Sequence, residues 1–211
     1  MRVFACAAIA ALALAAGTAG ASARTWTDPA GRVSFEAPDG WSVNPERPPN
    51  MTYVVAGIAN YECHVLAIPR ENSASSSPQA IRNTAANDAT FTPEIWTQLT
   101  SGLTSVFRDG AVQVLSRSSE KDGRFWPIQR AELQGSERPV HAAMQMRPGL
   151  DLLTLCQTYE GDEPTAAFDA LIRSIATPND AALQAQAEQQ DQAQQAAAAA
   201  AQAAPGEGRR P

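Results

Sequence analysis

Hydrophobic and polar positions fall into short alternating blocks and a few helical stripes from Thr25 to Pro178. Val33 and Phe35 alternate with Ser34 and Glu36, and Trp41 and Val43 continue that period of two. With turn signals at Asp28-Pro29-Ala30-Gly31 and Pro38-Asp39-Gly40, Thr25 to Trp41 reads as two short extended pieces. Asn44 to Asn50 carries three prolines and reads as a loop. Thr52 to Ile58 and Tyr61 to Pro69 are rich in Val, Ile and Tyr. With Ala59-Asn60 between them they predict a hairpin. After a serine-rich break, Ser77-Pro78 supplies an N-cap and a first-turn proline, predicting a helix over 78–88. Thr92-Pro93-Glu94 repeats the signal, and Ile95, Leu99, Leu103 and Val106 follow as one apolar stripe.

Residues 111–159 read as a meander. Strands are expected at 111–118, 124–133, 139–146 and 151–159, with turns at Asp122-Gly123, Gly135-Ser136 and Pro148-Gly149. Leu152, Leu153, Leu155 and Cys156 put apolar groups on both faces of the last strand, which suggests a central position. Asp162 then caps a helix with Phe168, Leu171, Ile172 and Ile175 on one face. The order β-β-β-β-α-α-β-β-β-β-α predicts an α+β fold, an antiparallel sheet sandwiched by helices.

The two ends differ from this middle. Arg2, the apolar run Val3 to Ala16 and the small residues through Ala21-Ser22-Ala23 form a cleavable export signal, too short to span a bilayer. Beyond Pro178 the chain is nearly all Ala and Gln, with Leu183 its one large aliphatic residue. Residues 179–211 are expected to be a solvated tail, partly helical or disordered. The expected organisation is a signal peptide at 1–23, one domain at 24–178 and the tail.

Export changes how the cysteines are read. Cys6 leaves with the signal, and it sits too early to be a lipidation site. Cys63 and Cys156 remain as a pair in an oxidising compartment, so one disulfide is expected, with two free buried thiols as the alternative. The net charge of −6 and the lack of any basic block argue against nucleic acid and anionic membrane surfaces as partners. No second apolar run predicts a membrane span.

Candidate chemistry is sparse. His64 and His141 lie on predicted strands, most simply as partly exposed or core-edge residues. Cys63 and His64 point to opposite faces, and a tetrahedral site from Cys63, His141 and Cys156 would need reduced thiols, so no metal site is expected. No Gly-x-Ser-x-Gly elbow, phosphate loop or His-Glu-x-x-His helix occurs, and no cofactor is implied. Asp162-Glu163 reads as a helix N-terminal charge match, and Glu120 and Asp122 as turn residues. Trp126, with Arg124, Ile128, Arg130 and Glu132 on one expected strand face, is a candidate partner surface. The alternative is that a helix or the tail covers it.

The opening Phe35-Glu-Ala-Pro38-Asp-Gly40-Trp41 and the closing Phe168-Asp-Ala-Leu171-Ile172-Arg-Ser174-Ile175 resemble the PsbP-like and DcrB-like group of small exported proteins. The resemblance implies an α/β/α sandwich over roughly 25–178 and accessory roles, with no active-site motif to carry over; the lack of a lipidation cysteine is a departure from DcrB-type lipoproteins. The expected function is an exported periplasmic accessory or binding module with a protein partner in the envelope and no catalysis. One alternative is a small envelope hydrolase or metal-dependent enzyme using His64 or His141. Another is a secreted-toxin immunity or adaptor protein. The sequence leaves the oligomeric state open.

Overall fold

A computed structural model describes residues 23–46, 51–101, 112–134 and 138–203. The expected signal peptide up to Ser22, the positions Leu103 and Val106, the Gly135-Ser136 turn and the chain beyond 203 lie outside the described residues. Five strands come first: β1 (Arg24–Thr27), β2 (Ser34–Ala37), β3 (Ser42–Glu46), β4 (Thr52–Ile58) and β5 (Tyr61–Pro69). Helices α1 (Pro78–Ala86) and α2 (Pro93–Thr100) follow. Four more strands come next: β6 (Val114–Glu120), β7 (Ile128–Leu133), β8 (Val140–Arg147) and β9 (Leu150–Thr158). Helices α3 (Thr165–Ser174) and α4 (Asp180–Ala203) complete the order.

The fold is α+β, as the pattern predicts. Seven strands make one antiparallel sheet in the order β3-β4-β5-β9-β8-β7-β6, and β1 and β2 form a separate two-stranded ribbon. The last strand, β9, stands at the centre of the sheet, buried along nearly its whole length. One sheet face carries Val54, Ala56, Cys63, Val65, Leu152 and Cys156. They pack against Phe35 of the ribbon and Phe168, Leu171 and Ile172 of α3. The other face carries Leu66, Ala131, Ala142, Met144, Leu153 and Leu155 against Phe91 and Trp96, the latter on α2. Helix α1 lies on this second face, where Gln129 donates to the Ala85 carbonyl at 2.9 Å.

Local chemistry fixes most element ends. Ser77 Oγ accepts from the Ala80 N–H at 3.2 Å and Thr92 Oγ1 from the Ile95 N–H at 3.4 Å, each followed by proline at the first helical position. The β4–β5 hairpin closes over Ala59-Asn60, with Ile58 opposite Tyr61. Gly149 has φ +75°, the left-handed value a type II turn requires after Pro148.

Three local expectations are corrected. The N-terminal segment holds three short strands rather than two, because the alternation that resumes after Trp41 belongs to its own strand, β3, which begins at Ser42 and extends into the expected loop as far as Glu46. The connection between β6 and β7 is not a tight Asp122-Gly123 hairpin: Glu120 faces Ile128, so seven residues intervene. Pro127, which has no N–H to donate, keeps residues 124–127 off the ladder. Helix α3, expected to be the last, begins at Thr165, not directly after Asp162.

Helix α4 is the element least evident from composition. Asp180 in its first turn binds Arg147 in a two-point pair, Nε–Oδ1 at 2.6 Å and Nη2–Oδ2 at 3.1 Å. The same carboxylate accepts from Thr177 N and Oγ1 at 3.1 and 2.8 Å. The helix packs against α1, Ala187 is buried, and nearly all of 191–200 is exposed.

Candidate functional site

Antiparallel register sets one row of side chains across the first sheet face: Ser116, Glu132, His141, Cys156 and Cys63 are successive direct neighbours. Directly opposite residues project to the same side, so the row shares one surface. Cys156 and Cys63 form the expected disulfide, which joins the two central strands and is fully buried. Toward β6 the covering helix ends its reach and the row opens into a groove of about 300 Å³. Its walls are Ser116 and Ser118 on one side and Asp169 and Arg173 of α3 on the other, with Arg130, Glu132 and His141 on its sheet floor.

Electrostatics close much of this groove on itself. Arg130 spans it, with Nη1 at 2.9 Å from Asp169 Oδ1 and Nη2 at 3.2 Å from Glu120 Oε2. Arg173 Nε adds a contact to Glu120 Oε1 at 3.1 Å, and Arg124 Nη1 another at 3.5 Å. Burial pushes the Glu120 carboxyl up, but the bonds from Arg130 and Arg173 outweigh it and hold the group below its ordinary value. His141 Nε2 is in direct contact with Glu163 Oε1, just before α3, and its ring lies 6.0 Å from that of Phe168. Ser116 Oγ donates to Glu132 Oε2 at 3.1 Å. The groove therefore holds a histidine, two serines and several carboxylates, but the serine that bonds a carboxylate bonds Glu132, and the histidine nitrogen faces Glu163.

Of the three residues expected to form a partner surface, Arg124 and Arg130 meet at the Glu120 carboxylate but line different hollows. Arg130 lines the groove, whereas Arg124 lines a different hollow of about 440 Å³ with Arg147 and Gln184. Trp126 is 6% exposed, and the Arg147 guanidinium stacks 4.5 Å from its ring centroid. Trp126 keeps the face of Ile128, and Arg147, itself bound to Asp180 at the start of α4, lies over the ring.

His64 is placed on the opposite face, apart from His141. Its Nδ1 is 2.6 Å from the Tyr53 hydroxyl and its Nε2 is 2.9 Å from Glu62 Oε1. The tautomer protonated at Nε2 satisfies both bonds, the imidazole donating to Glu62 and accepting from Tyr53. Gln157 Nε2 donates to the same oxygen at 3.1 Å, and the Tyr159 hydroxyl also donates to it. The His64 bond, with help from Tyr159 and Gln157 and against burial, brings the Glu62 pKa down to about 2. Burial and the Glu62 charge raise that of Tyr159. Sequence reading overlooked Tyr53, Gln157 and Tyr159, and gave Glu163 a role at a helix N-terminus only. The available signal was the Glu62/His64 spacing of two, which puts both on one strand face.

Among the described residues no cluster of three or more His, Cys, Asp or Glu side chains is arranged to hold a metal ion, and no helix is long and apolar enough to cross a membrane. No family model matches the sequence, and no curated protein matches it. Among solved structures, the solution structure of cyanobacterial PsbP (CyanoP) from Synechocystis sp. PCC 6803 is similar, with a TM-score of 0.47 and 13% identity. The match covers 76% of this chain and 95% of that one. A likeness this distant says nothing of activity.

Proposed function

We propose that the chain is an exported accessory module that recognises a protein partner and has no catalysis of its own. The observation that supports this most is the charge pairing inside the groove. Arg130, Arg173, Glu120 and Asp169 are committed to one another, and His141 Nε2 abuts Glu163. A hydrolytic centre needs a nucleophile beside its base. Here the Ser116 hydroxyl turns to Glu132 instead. Such a fixed, mixed-charge surface suits recognition. The buried Cys63–Cys156 bond fits an oxidising compartment.

The test is a photo-crosslinking residue placed at the exposed Ser118, with exposed Asp39 as a control at the far side of the sheet. A discrete adduct in the native envelope from position 118 and none from 39 is expected. A second reading, a small hydrolase, draws on one observation: His141 lies in a concave groove with carboxylates and serines around it. Turnover on an ester and peptide panel that disappears in His141→Ala, with no adduct at 118, would replace the first reading by the second.

A further inference from the structure

We infer that the partner binds the β6 edge as an added eighth strand and sends a lysine or arginine side chain into the groove beside Glu132. This rests on the accessory reading above and names the chemistry of the partner.

The backbone argument comes first. Strand β6 is the last in the sheet, and its ladder runs to β7 alone. Among the described residues, Val114–Glu120 makes no other backbone-to-backbone hydrogen bond. A row of outward N–H and C=O groups of this kind is a template for an extended chain. The opposite edge is different. Strand β3 has five residues, and Pro45 among them has no N–H to offer. Strand β6 has seven residues and no proline, and Leu115 on it is 44% exposed.

Side chains then select the occupant. Ser116 and Ser118 are small, so the groove mouth between β6 and α3 stays open to a side chain from a neighbouring strand. Of the carboxylates around the groove, Glu120 and Asp169 are neutralised by arginines and Glu163 faces His141. Among the described residues Glu132 has a serine hydroxyl and no cation. An added strand whose groove-facing residue is cationic completes that pairing, and the chain's net charge of −6 favours the approach of a basic segment.

The test pans a random dodecapeptide library on phage against the purified protein. Enriched peptides should carry Lys or Arg flanked at alternate positions by β-branched or aromatic residues. Their binding should weaken by about ten-fold in Glu132→Lys, and panning on that variant should enrich acidic peptides instead. On an edge strand one of two neighbouring N–H groups points away from the sheet. So one of Ser118→Pro and Ser119→Pro should keep the fold, checked by its thermal transition, and abolish binding. Enriched peptides without a cation, or binding indifferent to these variants, would overturn strand addition. So would pairing of β6 with β6 of a second copy, seen as a dimer in analytical ultracentrifugation and as a self-adduct from position 118. If no peptide enriches while position 118 still crosslinks a different protein, strand addition fails and the accessory function stands.

Discussion

Arg147 is 3% exposed and is held on several sides: by both oxygens of Asp180, by Gln145 Oε1 at 3.3 Å, and by the face of Trp126. Removing one partner of a buried pair strands the other charge, whereas an apolar replacement of the buried member does not. Asp180→Ala should therefore destabilise the protein by about 2–4 kcal/mol, and Arg147→Met by less. Chemical denaturation of both variants measures the difference; an equal loss would show that the pair matters only through packing. Glu62 offers a second test at this scale. Its folded pKa of about 2 lies below the ordinary carboxyl value, so its contribution is present above about pH 4.5 and is lost as pH falls from there toward 2. Denaturation midpoints should fall over that window in the native protein, and Glu62→Gln should flatten the fall. The Glu62/His64 pair leaves a trace in its spacing of two, but the Arg147–Asp180 pair leaves none. Arg147 and Asp180 are 33 residues apart, and Asp180 sits at the start of a low-complexity stretch that gives no hint of a buried contact.

At the scale of elements, α4 divides into a docked beginning and a free remainder. Asp180, Leu183 and Ala187 are wholly or partly buried, while nearly all of 191–200 is exposed. A chain ending at Gln190 should melt within a degree or two of the full-length protein. One ending at Pro178 should lose as much stability as Asp180→Ala or more, which differential scanning calorimetry can compare. The elements that were legible were those fixed by neighbours in sequence. Ser77-Pro78 and Thr92-Pro93 start helices, Ala59-Asn60 closes a hairpin, and the two-faced apolar pattern of Leu152 to Cys156 marks a central strand. Those that were not legible depend on distant partners or on one missing donor. Pro127 leaves a gap in the ladder where a tight hairpin was expected, and Trp126 is covered by Arg147, which Asp180 holds from 33 residues away. The groove exists only because α3, from the C-terminal region, reaches part of the way across strands that precede it.

For the whole molecule the disulfide is the main covalent constraint, joining β5 to β9 across 93 residues of chain. Cys63→Ala combined with Cys156→Ala should lower stability by about 2–5 kcal/mol in chemical denaturation. Because both sulfurs are buried, reductant should open the bond in the native protein only as fast as the protein unfolds, and readily in denaturant. The central place of β9 has a further consequence, one of timing. As the chain emerges from its N-terminus, the β3-β4-β5 half is complete after Pro69, but the neighbour that β5 requires is not made until residues 150–158 appear. Until then β5 is an unsatisfied edge, open to wrong partners, and its thiol has no mate. Sealing of the sheet waits for nearly the entire domain. The Cys63–Cys156 bond, formed where the two halves meet, therefore records that assembly has finished.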